Sequence, residues 1–413
     1  MVYSGHNRRR GGWCWRHVAA AVLFAASSLV LAPTAGRAGP ALVFDTGTGE
    51  VLHAYGAYTP WHPASLTKIM TAYVTFEAIR DGTVTMKSPV RVSELALSQP
   101  PSKMGFPVGT EISIEYALRI LMVKSANDIA VALAEAVGGN YDVFVAKMNS
   151  TARRLGMWDT RYVNSHGLHD ERQVTTAHDL ALLTRAMIRD YPQYQAFFEI
   201  QSIQVGQKVL RNHNKLIGRF RGADGMKTGY VCASGFNIVA TATRGGRRLA
   251  AVVLGGVRSS LRDEVTAGLL EAGFEAGSGF SLFGKSGRPT IDSLPRPASI
   301  GAPVDMRPYV CQKKKAPAEY LSFGTEPAAT VEANSSRSLN PAGTALALTA
   351  ASAIDLGPMT PGAKPVIAFD VPLPRPRPVE APKTNPFKLF AKPSNASAGS
   401  SDLTVRPRSN PMR

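Results

Sequence analysis

Cysteine is nearly missing from this chain: 413 residues hold three, Cys14, Cys232 and Cys311. No His/Cys/Asp cluster has metal-ligand spacing and no glycine loop suits a phosphate, so the sequence offers no sign of a metal or nucleotide cofactor. Acidic residues are also few, 30 against 47 Lys and Arg, for a formal net charge of +17. That excess raises nucleic acid as a partner. No recognition motif accompanies it, and the charge spreads over both ends and the middle, so contact with anionic polymers or lipid surfaces is the better expectation. The apolar run near the start, Val18 to Leu31, is too short to read as a spanning helix. It follows Arg8-Arg9-Arg10 and Arg16 and precedes a small-residue site, Ala35-Gly36-Arg37-Ala38, which together read as a secretory signal peptide over residues 1–38. The product is then expected in the periplasm or cell envelope. Gly11-Gly12 after the arginines argues against a twin-arginine, folded-export signal.

What is present is a set of three short motifs in a fixed order: Ser65-Leu66-Thr67-Lys68, Ser125-Ala126-Asn127 and Lys227-Thr228-Gly229. Each alone is weak, and the tail carries decoys at Ser338-Leu339-Asn340 and Lys383-Thr384-Asn385. Their contexts are more telling. Ser65 opens an apolar helix that closes at Asp81-Gly82, and a spacing of three stacks Lys68 over it on one face, about one turn away. The free N–H groups of a helix N-terminus would also suit a developing oxyanion. Ser125-Ala126-Asn127 falls in a turn between a short helix, Ile114 to Val123, and a second one stopping at Gly138-Gly139. Lys227-Thr228-Gly229 opens a strand ahead of two apolar runs, Gly235 to Thr243 and Arg248 to Leu254, joined at Gly245-Gly246 as an antiparallel meander. A nucleophile with an adjacent amine, a second hydroxyl with an amide, and a basic strand edge are the equipment for acyl transfer through a serine ester.

With these residues and the stretches Pro63 to Thr71, Asn164 to Leu168, Asp224 to Tyr230 and Ala233 to Asn237, the chain resembles the penicillin-recognising serine acyl-transferases. Within them it is most similar to the low-molecular-mass penicillin-binding proteins that act as D-alanyl-D-alanine carboxypeptidases, over about residues 41 to 275. The resemblance implies an α/β fold of the β-lactamase/transpeptidase type, a twisted antiparallel sheet flanked by helices with a helical subdomain. It also implies roles. Ser65 would attack the penultimate D-alanine carbonyl and a neutral Lys68 would take its proton. Lys227 would lower the Lys68 pKa and attract the substrate carboxylate, while Ser125 relays a proton to the leaving amine. Asn127 would hold the peptide amide, and Thr228, beside Gly229, the terminal carboxylate, together with Arg262 after the final strand. Backbone N–H groups of Ser65 and Tyr230 would form the oxyanion hole. No cofactor is needed. The partners implied are peptidoglycan stem peptides, with β-lactam antibiotics as covalent inhibitors.

Some features depart from that pattern. Asn212-His213-Asn214 stands where some relatives show Asn-Arg-Asn, leaving one cation missing or titratable, and Tyr230 replaces a histidine of some relatives. A β-lactamase is the nearest alternative enzyme, but Glu135, Glu171 and Glu199 lack the Glu-x-x-Leu-Asn setting. An endopeptidase cutting D-alanyl cross-links would use the same residues, and a catalytically weak wall-associated protein is a third reading. Cys14 lies in the leader; Cys232 and Cys311 could pair in an oxidising compartment, but two free thiols are the expectation. Composition changes near residue 280, so residues 39–280 are expected to form the catalytic domain. Residues 281–413, Pro/Ala/Ser-rich and including Pro372 to Pro378, are expected to form a mostly disordered basic tail that could touch the envelope or a membrane surface.

Overall fold

The first strand, β1 (Ala41–Asp45), shows why a sheet forms here. All five residues are buried, Ala41 and Val43 in one apolar cluster and Leu42 and Phe44 in another. Successive side chains of a strand point to opposite faces, so a strand covered on both sides is apolar on both, as it is here from Ala41 to Phe44, with the charged Asp45 only at its end. The computed structural model describes residues 39–276, 287–316 and 368–371; the expected leader at 1–38 and the proline-rich run at 372–378 lie outside them.

Strand β2 (Val51–Tyr55) returns antiparallel to β1. The Asp45 carboxylate holds their turn by accepting from the N–H groups of Gly47 and Thr48 at 2.9 and 3.1 Å. A 3₁₀ turn at Ala64–Leu66 leads into α1 (Thr67–Arg80), which is buried on almost every side. Next come β3 (Pro89–Arg91), α2 (Glu94–Ser98) and β4 (Glu111–Ser113), the two strands forming a small ribbon. Helices α3 (Ile114–Val123), α4 (Asn127–Gly138) and α5 (Tyr141–Arg154) make up the helical subdomain. Ser113 caps α3 and Gly139, at φ +70°, ends α4. Helix α6 (Ala177–Asp190) packs against β1, and β5 (Ser202–Val205) with β6 (Lys208–Arg211) forms a hairpin.

The main sheet is completed by β7 (Ala223–Val231), β8 (Gly235–Arg244) and β9 (Arg247–Gly256), in the order β2-β1-β9-β8-β7, antiparallel throughout. The expected meander is present. Gly245 and Gly246, at φ +55° and +79°, make the tight turn that side-chain-bearing residues adopt poorly. Along β9, Leu249, Ala251 and Val253 face the cluster under α7 (Ser259–Glu275), whereas Ala250, Val252 and Leu254 face α1 and α6. The architecture is the expected one: an antiparallel sheet between helical layers. Its last strand, β7, is an open edge, and that edge carries Lys227.

Two expectations need correction. Residues 287–316, read from composition as the start of the tail, lie against the domain. Pro289 O accepts from Val51 N–H, Gly49 O accepts from Ile291 N–H, and Ala233 O accepts from Met306 N–H, at 2.8, 2.8 and 3.0 Å. Ile291 and Met306 are fully buried. They are single anchors between prolines rather than a periodic stripe, so no helix or strand pattern announces them. Further on, β10 (Ala368–Val371) pairs in parallel with β5. The second correction concerns the cysteines. Cys232, just after β7, and Cys311, after the short helix α8 (Arg307–Val310), form a disulfide with a sequence separation of 79. The two thiols meet only because this segment folds back, and no spacing rule records that.

Candidate active site

The reacting centre begins with a strained turn. Ala64 takes φ +48°, unusual for a residue with a side chain, and Ser65 follows it half-buried in the 3₁₀ turn before α1. Lys68 sits one turn on and is completely buried, its Nζ 3.1 Å from Ser65 Oγ. The same nitrogen donates to Asn127 Oδ1 at 2.8 Å and to the His166 carbonyl oxygen at 2.6 Å. The Asn127 amide is oriented by its own donation to Pro100 O at 2.9 Å. Burial first, and then the charge of Lys227, holds the Lys68 amine well below the usual lysine range; Asp128 opposes them. A neutral amine has two N–H groups and one lone pair. Asn127 Oδ1 and His166 O can only accept, so they take both N–H groups and leave the lone pair facing the Ser65 hydroxyl. This is the geometry of a base poised to take that proton.

Ser125 and Asn127 come from the junction of α3 and α4, where Ser125 is left-handed at φ +58°. Its hydroxyl is buried without a hydrogen-bond partner among the described residues, and it lines the cleft. Asn127 opens α4 rather than lying in the turn. Its neighbour Asp128, to which the sequence reading assigned no role, accepts from the N–H groups of Met104 and Gly105 and from that of Ile129. Asn127 N–H donates to Ser102 O at 2.7 Å. The loop at 101–105 is thereby fastened over the start of α4.

The third component is the β7 edge. Lys227 is 2% exposed and donates to the Thr228 carbonyl at 2.9 Å. Burial, reinforced by Arg262, lowers its pKa to about 7. Gly229 is required by close approach, because a Cβ there would lie 2.9 Å from Pro63 O and 3.0 Å from Ser65 N. The strand therefore runs directly against the nucleophile turn, with Tyr230 one residue beyond. The Tyr230 ring is largely exposed and stacks on Phe236, centroids 4.3 Å apart.

Arg262 belongs to the first turn of α7 and is buried, not a surface residue. It lines the cleft, but its guanidinium is held by Asp263, at 3.0 and 2.5 Å, and by Asn237 O at 3.3 Å. The position of His213 is also informative. It stands at the cleft wall between Asn212 and Lys215, where desolvation and then the charges of Lys227, Lys124 and Arg262 press its pKa well below the ordinary range. The expected titratable cation is a neutral imidazole at neutral pH. Ser65, Ser125, Asn127, Thr228, Gly229 and Arg262 thus share a cleft of about 520 Å³, with Lys68 and Lys227 buried behind its wall.

Two contributors have no role in the sequence reading. In the Asn164–Leu168 stretch the His166 carbonyl holds Lys68, and Gly167, at φ +87°, lies so close that a Cβ would fall 1.9 Å from Ala64 O. Asn237 on β8 donates to His62 O at 3.0 Å and accepts from Gly255 N–H at 2.9 Å, tying the sheet to the segment before the nucleophile. The glutamates weighed for a β-lactamase element lie elsewhere: Glu135 accepts from Ser93 Oγ, Glu171 is on an exposed loop, and none of Glu135, Glu171 and Glu199 lines the cleft.

Comparison with known proteins shows what the chain as a whole is similar to. The family profile described as D-alanyl-D-alanine carboxypeptidase, peptidase S11, matches residues 28–258. The D-alanyl-D-alanine carboxypeptidase DacD of Salmonella typhimurium is 36% identical over 264 residues, covering 62% of this chain and 68% of that protein. Among solved structures, penicillin binding protein 5 from Haemophilus influenzae superposes with a TM-score of 0.56 at 33% identity, over 58% of this chain and 71% of its own. Penicillin-Binding Protein D2 from Listeria monocytogenes in the ampicillin-bound form gives 0.51 at 28% identity, over 57% and 97%.

Proposed function

Because the chain belongs to the D-alanyl-D-alanine carboxypeptidase family of serine peptidases, we propose that it removes the terminal D-alanine from peptidoglycan pentapeptide through an ester on Ser65. The observation that carries this reading is the Lys68 amine, buried, depressed in pKa and facing Ser65 Oγ. Lys68 takes the hydroxyl proton as Oγ bonds to the penultimate D-alanine carbonyl carbon. The peptide C–N bond then breaks, and the leaving amine receives a proton by way of Ser125, whose hydroxyl has no competing partner among the described residues. Water later hydrolyses the ester and restores Ser65. Ser65 and Tyr230 N–H groups stabilise the oxyanion, Asn127 positions the peptide amide, and Thr228, Lys227 and Arg262 recognise the carboxylate. Sharing of Arg262 with Asp263 leaves Lys227 as the stronger attraction.

The ampicillin-bound form of the Listeria relative supports β-lactams as ligands of this cleft, and their acylation of Ser65 is part of the proposal. Export to the cell envelope is part of the proposal. The Cys232–Cys311 disulfide favours it, since such bonds persist in oxidising compartments. The test is mass spectrometry of peptidoglycan fragments incubated with the protein. Pentapeptide should lose one alanine. Separation of cross-linked dimers without trimming would make it an endopeptidase, and no change in either would leave only a binding role.

A further inference from the structure

On the far side of the nucleophile turn, three side chains converge that the proposed reaction does not use: His62, His169 and Glu171. Their ligand atoms lie within 4.8 Å of one another. His169 Nε2 and Glu171 Oε1 are 2.9 Å apart, and His62 Nε2 and Glu171 Oε2 are 3.9 Å apart. In a tetrahedral site with bonds of about 2.0–2.1 Å, neighbouring donors stand roughly 3.3 Å apart. These separations therefore need only small side-chain adjustments. Sequence spacing hides the set, because residue 62 is far from residues 169 and 171 along the chain.

Hydrogen bonding shows which lone pairs are available. His62 Nδ1 is 3.0 Å from Gln173 O, which can only accept, so Nδ1 carries the proton and Nε2 presents a lone pair to the cluster. His169 Nε2 is in conflict. A carboxylate oxygen of Glu171 lies 2.9 Å away and the Arg307 Nη2, which can only donate, lies 2.5 Å away. Neither tautomer satisfies both contacts. A cation between two imidazole nitrogens and a carboxylate would turn all three into donors toward one centre. Arg307 reaches this position from the surface and is also held by Asp305 and, at 3.4 Å, by Glu171. Asp170 next door is engaged by Arg172 and is not a ligand here.

We propose that His62, His169 and Glu171 form a binding site for a zinc-class divalent ion, in competition with the Arg307 guanidinium. Two imidazoles and a carboxylate with open positions match the donor preference of Zn²⁺. The bound ion braces the cleft. It joins His62, three residues before Ser65, to the loop whose His166 carbonyl holds Lys68.

The test is calorimetric titration of ZnCl₂ into tag-free, full-length protein stripped with chelator, with Co²⁺ as a second probe read by its visible absorption. Wild type should bind with a Kd of about 10 μM or tighter, and zinc should raise its unfolding temperature. His169→Ala and Glu171→Gln, both at positions open to solvent, should each weaken binding at least about tenfold, ~1.4 kcal/mol, and abolish the thermal shift. Arg307→Ala should tighten binding. Absence of saturable binding by wild type, or equal affinity in the His169 and Glu171 variants, overturns the proposal. Neither result depends on peptidase activity.

Discussion

Lys68 Nζ and the carbonyl oxygen of His166 are 2.6 Å apart, so the proposed general base is held from a loop 98 residues away as well as by its own helix. The loop reaches that position because Gly167 passes against Ala64 O with φ +87°. Gly167→Ala should therefore disturb the base and the nucleophile turn together. The expected result is a loss of more than about 2 kcal/mol in stability and at least a hundredfold in penicillin acylation, ~2.7 kcal/mol of barrier. Urea unfolding and stopped-flow acylation would measure the two effects; wild-type values in both would refute the packing argument.

Lys68→Ala and Lys227→Ala should each slow acylation by at least about a hundredfold, or ~2.7 kcal/mol. The first removes the base and the second removes a cation that keeps the base neutral and draws in the carboxylate. Circular dichroism should remain native. Unimpaired acylation in the Lys68 variant would mean that another group takes the proton.

The pH profile follows from the same two residues. Acylation needs Lys68 unprotonated and Lys227 protonated, so the rate rises as Lys68 loses its proton and falls as Lys227 titrates through about 7. Lys227→Arg should move the alkaline limb upward by more than about two pH units, since guanidinium stays charged. An unmoved alkaline limb would assign it to a different group. Stability has a definite sign too. Folding lowers the Lys227 pKa from the ordinary value near 10.5 to about 7, so the unfolded chain holds more protons between those values and stability rises with pH across that window. Lys227→Met should flatten the rise seen by chemical unfolding.

Much of this site is legible in the sequence because it depends on local spacing. Ser65 and Lys68 are three apart in consecutive helical turns, the 3₁₀ turn and the start of α1, and an i, i+3 relation needs no tertiary knowledge. The apolar runs of β8 and β9 with Gly245-Gly246 between them disclose a hairpin in the same way. What escapes is whatever the fold brings from a distance. The His166 carbonyl, a backbone atom, has no residue signature, and Asp263 alters Arg262 from the adjacent position without any motif. Ile291 and Met306 anchor a segment whose prolines suppress every period, and Cys232 meets Cys311 only through that segment.

Boundaries can be tested on this basis. A chain covering residues 39–316 keeps Ile291 and Met306 seated and the disulfide formed, whereas one ending at 280 exposes both seats and loses the disulfide. The shorter form should be less stable by about 2–4 kcal/mol, seen as a lower urea midpoint. Equal midpoints would show that residues 287–316 contribute nothing to the fold.

The most direct test of the account is peptide mapping by mass spectrometry after incubation with benzylpenicillin. One adduct should form, on the peptide containing Ser65, and Ser65→Ala should abolish it while the protein remains folded. An adduct on another residue, or one that persists in Ser65→Ala, would contradict the assignment of Ser65 as the nucleophile.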